Sequence, residues 1–262
     1  METGGGRQRL DVRPFGGLLP PVPLQRNRRV KEEEFRERRV CLWRVPAIDL
    51  AERESRSMHL EGFKLFDSHA HLQDERFDDL PAVIDRARAA GVSRVLCCGT
   101  AESDWARVAA IAAAWPDFIQ PAFGLHPWYV AERSPRWEAE LTAQLTAHPR
   151  AAVGEIGLDG ALSSPDAAMH AVFLAQLRLA RRVGRPASLH GRKAWESLAD
   201  VLEAEGPFPA GVVLHAYSGP VHLISRFAAA GAYFSFCGSI TWSGNRRGRR
   251  ALEDVPAERL LI

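Results

Sequence analysis

Histidine and glutamate side chains of this 262-residue chain recur where strand-like apolar runs end. His69 and His71 follow an apolar run at residues 64–66, and Glu155 lies near the end of another at residues 151–156. The side chains that share this placement are His69, His71, His126, Glu155, His190 and His215. Imidazole and carboxylate groups are the ligands that proteins use for zinc, manganese and magnesium. The pattern therefore predicts a metal-dependent hydrolase.

The His-x-His spacing suits a metal because residues i and i+2 of an extended chain point to the same side. His69 and His71 can therefore reach one ion at about 2.1 Å. Glu155 offers only acceptor oxygens, so its carboxylate can bridge two ions. Two ions roughly 3.5–4 Å apart can hold the attacking and leaving oxygens of a phosphoryl displacement.

Two aspartates flank these motifs. Asp67 is either a ligand or a residue that orients a ligating imidazole, and we favour the second. Asp159 is either a loop cap or a residue that orients a metal-ligating side chain, and we favour the cap. The remaining histidines are interpreted as background, because they lie in the N-terminal segment, a loop or predicted helices: His59, His148, His170 and His222.

Seven apolar runs alternate with helical patterns from residue 63 onwards and must position these side chains. The runs are residues 64–66, 92–98, 119–124, 151–156, 186–190, 211–215 and 232–237, and an eighth begins at 259–262. The helical patterns are residues 81–90, 103–115, 137–147, 165–183, 195–205, 220–230 and 248–252. Nearly continuous apolar strands that alternate with helices are typical of parallel βα units.

Two parallel folds fit this alternation, and the loops favour one of them. The chain has no GxGxxG or GxxxxGK[ST] loop, which disfavours a doubly wound nucleotide-binding sheet. Polar residues instead end several different strands, as they do at the catalytic face of a barrel. We therefore predict an α/β protein with a (β/α)8 barrel of the TIM type.

The charge distribution separates the barrel from a leader. Residues 1–60 carry a net charge of +4 and residues 61–262 a net charge of −2, so the whole chain has no global polyanion signal. We predict a basic leader of little regular structure at residues 1–62, because glycine and proline clusters and dense charge leave no apolar face. A targeting segment or a nucleic-acid arm is the alternative. The barrel would span residues 63–262.

Cysteine usage and hydropathy bear on the compartment. The four cysteines, Cys41, Cys97, Cys98 and Cys237, form no CxxC pair, and Cys97 and Cys98 are expected to be small buried hydrophobes. Reduced thiols favour a cytoplasmic location. No apolar run approaches about 18 residues and the N-terminus lacks the apolar core of a secretory signal, so no membrane association is expected. No obligate protein partner is evident.

The motifs together resemble those of the TatD family of metal-dependent deoxyribonucleases, which have amidohydrolase-like barrels. The resemblance spans about residues 64–262 in unbroken order. Its segments are FDSHAHL at 66–72, GLHP at 124–127, GEIGLD at 154–159, the strand at 186–190 and HAYSG at 215–219.

The resemblance implies a ligand set and a reaction. By this resemblance, His69 and His71 would bind one divalent ion, and His190 and His215 would bind a second. Glu155 would bridge the two ions. His126 resembles the pocket histidine near the scissile phosphate, so Glu155 and His126 would be the catalytic residues. The implied reaction is hydrolysis of DNA from the 3′ end by a metal-activated water. Mg²⁺ is the implied ion, with Mn²⁺ or Zn²⁺ as alternatives.

Further side chains are candidate substrate contacts. Arg192 follows His190 by two residues and either meets a phosphate or forms a surface ion pair. Tyr217, in the HAYSG segment, either contacts substrate or only packs. A basic run is either a local DNA contact or a solvated helix face: Arg246, Arg247, Arg249 and Arg250.

The sequence departs from the family pattern at two places. Gly160 and Ala161 stand where the family commonly has an aromatic residue, so the substrate contacts of that loop are expected to differ. The family continues beyond the segment resembling residues 256–262 into a motif whose Asp is a metal ligand. We therefore expect a barrel that is incomplete at strand eight, less stable and weaker as a nuclease than a full-length relative.

Two other functions stay open at this point. One is a metal-dependent amidohydrolase acting on a small C–N or lactone substrate, although such enzymes often have lysine where this chain has Glu155. The other is an inactive, truncated paralogue that binds nucleic acid or a partner.

Overall fold

The computed structural model describes residues 64–162 and 167–261. The predicted leader at residues 1–62 lies outside the described residues. Within them, eight strands form one sheet in sequential order, and each strand pairs in parallel with the next. The strands are β1 (Leu65–Ala70), β2 (Val92–Cys98), β3 (Ile119–Phe123), β4 (Ala152–Asp159), β5 (Ala187–Arg192), β6 (Val212–Leu214), β7 (Ala232–Ser235) and β8 (Leu260–Leu261).

A helix follows each strand from β1 to β7, so the sheet curls into a nearly closed barrel of the TIM type. The predicted fold is thus confirmed. The helices are α1 (Leu80–Ala89), α2 (Glu102–Ala114), α3 (Trp137–Ala147), α4 (Ala167–Arg182), α5 (Trp195–Glu205), α6 (Ile224–Ala229) and α7 (Arg246–Asp254). Over the described ranges, each helix is too short or too polar to cross a membrane.

Several strands are longer than their apolar runs because polar residues continue the ladder. β4 extends to Asp159 and β5 to Arg192, and these two residues pair with each other in register. The predicted eighth strand is confirmed by the pairing of Leu260 and Leu261 with β7. The strand ends that carry the histidines and carboxylates are therefore part of the sheet or follow it directly.

The core lies inside the barrel and between the barrel and its helices. All eight residues of β4 are buried, and Cys97 and Cys98 have no exposed surface, as predicted. Ile156 and Leu189 are also fully buried on the neighbouring strands β4 and β5. Burial of one such side chain contributes about 1.5–3 kcal/mol, so this packing holds the strand ends rigidly in place.

Two register irregularities interrupt the ladders beside the polar residues. One lies in β1 between Asp67 and Ala70, and the other in β4 between Val153 and Ile156. Bulges of this kind bend a strand and change the direction in which its side chains point. His69 and Glu155 lie within the irregular segments.

Candidate metal centre

The Glu155 carboxylate faces the two histidines of the His-x-His motif with one of its oxygens. Its Oε2 atom is 3.0 Å from His71 Nε2 and 3.3 Å from His69 Nε2. These two imidazole nitrogens lie 3.1 Å apart, so both can reach a single ion at about 2.1 Å. The structure therefore brings this predicted group together, and Glu155 is only 2% exposed.

The second carboxylate oxygen of Glu155 faces three further histidines. Its Oε1 atom is 2.9 Å from His190 Nδ1, 3.2 Å from His215 Nε2 and 3.4 Å from His126 Nε2. His190 lies on β5, whereas His126 and His215 directly follow β3 and β6. The C-terminal ends of five strands thus meet around one buried carboxylate.

The tautomers of His71 and His215 are set by hydrogen bonds on the side of each ring that points away from Glu155. The Nδ1–H of His71 donates to the carbonyl oxygen of Cys98 at 2.8 Å, and that of His215 donates to the carbonyl oxygen of Leu189 at 3.0 Å. A carbonyl oxygen only accepts, so Nδ1 carries the proton in each neutral ring. The Nε2 lone pairs of both rings are then available to a metal.

His126 has the opposite arrangement. Its Nδ1 atom accepts the backbone N–H of Trp128 at 3.1 Å, so the proton of the neutral ring lies on Nε2. Burial lowers the pKa of His126 to about 4, which keeps the ring neutral at pH 7. His126 therefore presents an N–H donor towards Glu155. Although its nitrogen lies close enough to Glu155 and His190 for a shared ion, its proton makes it a donor rather than a ligand.

His69 is held by its ring and by its backbone. Its Nδ1 atom is 2.8 Å from Ser188 Oγ and 3.4 Å from Cys98 Sγ. Asp67 accepts the backbone N–H of His69 at 3.2 Å, so Asp67 fixes the chain at His69. The expectation that Asp67 orients an imidazole is corrected, because Ser188 occupies that position.

The electrostatics of this donor set fit a cation. Burial opposes ionisation of Glu155, but the surrounding histidines, led by His215, His126 and His69, hold its pKa well below the usual range. Burial lowers the pKa of His69 to about 3, with the His215 charge acting in the same direction. Burial also disfavours charge on His71 and His190, but their carboxylate partners outweigh it and raise the pKa of both rings. Positive charge is therefore favoured beside Glu155, and a divalent cation would supply it.

Comparisons with known proteins bear on the family and the fold of the chain. Residues 66–262 match the family model described as TatD related DNase. The chain belongs to this TatD-related family. It is 33% identical over 204 residues to YabD of Bacillus subtilis, named an uncharacterized metal-dependent hydrolase, covering 76% of this chain and 78% of the relative. It is 34% identical over 203 residues to the 3′-5′ ssDNA/RNA exonuclease TatD of Edwardsiella piscicida, covering 76% and 77%.

A solved structure of the TatD family shares the fold. The crystal structure of YjjV, a TatD homologue from Escherichia coli K12, superposes with a TM-score of 0.71 at 31% sequence identity. The match covers 76% of this chain and 77% of YjjV. Family membership and fold together make the chain a metal-dependent hydrolase of the TatD type.

One glycine of the GEIGLD segment, Gly157, is required by close packing beside the histidine cluster. Gly157 has a φ of +148°, and a Cβ atom there would lie 2.1 Å from the carbonyl oxygen of His190. Gly157 and His190 are register partners of β4 and β5. The missing side chain at Gly157 therefore allows β5 to bring His190 against Glu155.

Asp159 combines the two alternatives that the sequence left open, the loop cap and the contact with a histidine of the site. The carboxylate accepts the backbone N–H of Ala161 at 2.9 Å, which is the cap. It also accepts the indole N–H of Trp128 at 2.7 Å and lies 3.2 Å from His190 Nε2. The side chain has no exposed surface. Burial opposes its ionisation, but the His190 hydrogen bond and charge lower the pKa of Asp159 below its usual range.

The two candidate substrate contacts are placed differently. Tyr217 is 2% exposed, packs against Trp195 and Phe234, and donates its hydroxyl to the carbonyl oxygen of Pro220 at 2.8 Å. Of the two alternatives for Tyr217, the structure therefore supports packing and not a substrate contact. Arg192 ends β5 with its side chain 28% exposed and its guanidinium 3.9 Å from Asp159, which leaves it on the rim of the site.

Proposed function

We propose that this TatD-family hydrolase removes nucleotides from the 3′ end of single-stranded DNA by hydrolysing phosphodiester bonds. The carrying observation is one buried carboxylate whose two oxygens face two separate groups of imidazole nitrogens. This is the donor pattern expected of two neighbouring divalent ions. The name of the Edwardsiella relative, a 3′-5′ ssDNA/RNA exonuclease, supports the choice of substrate.

The donor atoms divide into two ligand groups. Glu155 Oε2 with the Nε2 atoms of His69 and His71 would hold one ion, and Glu155 Oε1 with His190 Nδ1 and His215 Nε2 the other. Mixed imidazole and carboxylate ligands suit Mg²⁺ or Mn²⁺ with a phosphate substrate, and Zn²⁺ by the imidazole count. When bound, such ions supply a more acidic water and neutralise negative charge that develops on a phosphate.

His126 supplies a hydrogen bond from the protein itself. Its Nε2–H points to the side of Glu155 occupied by His190 and His215, and its ring stays neutral because it is buried. A fixed N–H donor at this place stabilises the negative charge that develops on a phosphate oxygen in the transition state more than it stabilises the same oxygen in the ground state. We assign His126 to the scissile phosphate, with Glu155 as the second catalytic residue.

The segment after β7 offers a surface for the rest of the strand. Trp242 is 52% exposed, the most of any large apolar side chain in the described ranges. Arg246, Arg247 and Arg250 are exposed on α7 and have no carboxylate partner among the described residues. Arginines in the first turn oppose the helix dipole, so their placement is better explained by an anionic ligand than by helix stability.

Together, Trp242 and these arginines form a surface that can stack a base and contact phosphates. It lies on the side of the barrel where the strands end, which is the side of the histidine cluster. Arg192, at the end of β5, is the proposed contact closest to the scissile phosphate. DNA is therefore the proposed partner of this face.

The test of this function is nucleotide release from a 5′-labelled single-stranded oligonucleotide with Mg²⁺, Mn²⁺ or Zn²⁺. We expect shortening from the 3′ end, loss of activity in His71→Ala, and no loss in His222→Ala, whose ring pairs with Glu196 on the surface. A cyclic amide and a lactone serve as competing substrates. Their hydrolysis without any cleavage of DNA or of a p-nitrophenyl phosphodiester would contradict the proposal and favour an amidohydrolase.

A further inference from the structure

We propose that Asp159 and Trp128 are positioning residues that set which ring nitrogen His190 and His126 present to Glu155. The inference rests on the proposed metal centre, but it concerns the protein's own hydrogen bonds and does not depend on the substrate. Neither residue touches the carboxylate of Glu155 in the contacts above. Both act through a histidine that does.

His190 differs from the other proposed ligands in the nitrogen that it directs to Glu155. His71 and His215 direct Nε2 inward because backbone carbonyl oxygens accept hydrogen bonds from their Nδ1–H groups. His190 directs Nδ1 inward at 2.9 Å, and its Nε2 atom is 3.2 Å from Asp159 Oδ2. An ionised carboxylate only accepts, so Asp159 holds the proton on Nε2 and leaves the Nδ1 lone pair facing Glu155.

Trp128 joins this arrangement to the substrate side of the site through two separate donors. Its indole N–H donates to Asp159 Oδ2 at 2.7 Å, and its backbone N–H donates to His126 Nδ1 at 3.1 Å. Its ring also meets the His126 ring edge-on, with centroids 5.1 Å apart. One residue therefore supports the acceptor that orients His190 and fixes the tautomer that makes His126 a donor.

Replacement of Asp159 by asparagine separates this role from simple packing, because the side chain keeps its shape. In Asp159, Oδ2 accepts from the indole N–H of Trp128 and faces His190 Nε2, and Oδ1 accepts from the backbone N–H of Ala161. The amide group of asparagine has only one acceptor oxygen for these two sides. If the amide NH₂ faces His190, it needs an acceptor there, which moves the imidazole proton from Nε2 to Nδ1. If the amide oxygen faces His190, it is an uncharged and weaker acceptor than the carboxylate, so it holds the proton on Nε2 less firmly. Both orientations therefore raise the share of the Nδ1–H tautomer. A protonated Nδ1 has no lone pair for a metal.

The first measurement is the ring tautomer of His190 by ¹⁵N NMR on the metal-free full chain, assigned with a His190→Gln variant. It is made at alkaline pH, where the ring is neutral, because Asp159 and Glu155 outweigh burial and raise the pKa of His190. We expect Nε2–H in the wild type and a gain of Nδ1–H in Asp159→Asn. Glu102→Gln is the matched control, since Glu102 accepts two hydrogen bonds from Ser134 and contacts none of the site histidines. An unchanged Nε2–H tautomer in Asp159→Asn would overturn the proposal.

The second measurement is Mn²⁺ affinity by calorimetry. Asp159→Asn should weaken binding about 10- to 100-fold, as loss of such a partner of a ligating histidine does elsewhere. Trp128→Phe should weaken it less, and Trp137→Phe, which alters a tryptophan outside the site, should not. If Asp159→Asn does not fold, Trp128→Phe decides, and affinity equal to that of Trp137→Phe overturns the proposal. Absence of DNA hydrolysis in a wild type that shows these shifts would refute only the proposed function.

Discussion

Replacement of Gly157 by alanine tests whether the close approach of β4 and β5 positions His190. The added Cβ would lie 2.1 Å from the carbonyl oxygen of His190 and 2.9 Å from its carbonyl carbon and backbone nitrogen. Since Cβ atoms essentially never come within 3.0 Å of such atoms, the two strands must separate by about 1 Å. The φ of +148° at Gly157 adds a conformation that alanine rarely adopts.

The expected cost follows from this geometry. Overpacking a rigid core costs about 1–3 kcal/mol, and each kcal/mol lowers the melting temperature of a domain of this size by about 2–4 °C. A shift of about 1 Å also moves His190 relative to Glu155, and a misplacement of that size can lower a catalytic rate roughly 100-fold. We therefore expect a roughly 100-fold loss of rate together with a fall in melting temperature of about 2–12 °C.

The assay measures melting temperature, Mn²⁺ affinity and the rate of oligonucleotide shortening for Gly157→Ala and for Gly91→Ala. Gly91 also has a positive φ, +88°, but a Cβ there would meet nothing within 4 Å, so this control carries the backbone cost without the clash. We expect weakened Mn²⁺ binding and slow cleavage only in Gly157→Ala. Equal affinity and equal rate in the two variants would refute the reasoning.

Three further predictions concern individual side chains. His126→Gln should lower kcat about 100- to 1000-fold and leave the Mn²⁺ affinity unchanged. His71→Ala should instead weaken Mn²⁺ binding in calorimetry. A loss of Mn²⁺ affinity in His126→Gln would show that His126 is a ligand. Trp242→Ala should raise the KM for single-stranded DNA by an amount that corresponds to about 1–3 kcal/mol of lost base stacking, and should leave the KM for a p-nitrophenyl phosphodiester unchanged. Arg247→Ser should lower the slope of log K for DNA binding against log salt concentration by roughly 0.7. Unchanged values in both variants would show that this surface does not bind DNA. Tyr217→Phe should lower the free energy of unfolding by about 1 kcal/mol in urea titrations and leave the KM for DNA unchanged. A raised KM would instead show that Tyr217 contacts the substrate.

The sequence was sufficient to predict the barrel and the membership of the cluster. Strand-end positions of Glu155, His190 and His215 indicate convergence, because the C-terminal ends of parallel strands meet at one face of a barrel. The His69 and His71 pair follows from the alternation of side chains in an extended segment. Both predictions depend on local pattern and on topology alone.

The roles within the cluster depend on atoms from distant segments, which local pattern does not contain. His126 and His215 both follow strands, yet one accepts the N–H of Trp128 and the other donates to the carbonyl of Leu189. The long-range contact of Asp159 with His190, 31 positions away, is equally absent from local pattern. Its only sequence signal is its place at the end of GEIGLD.

The most direct test of the metal centre is a Mn²⁺ titration of the metal-free full chain by calorimetry, with Glu155→Gln beside the wild type. Loss of a carboxylate that serves both histidine groups should weaken both ions together and abolish metal-dependent cleavage of single-stranded DNA. We predict two bound Mn²⁺ ions in the wild type and loss of both in Glu155→Gln. Wild-type stoichiometry and affinity in Glu155→Gln would contradict the account.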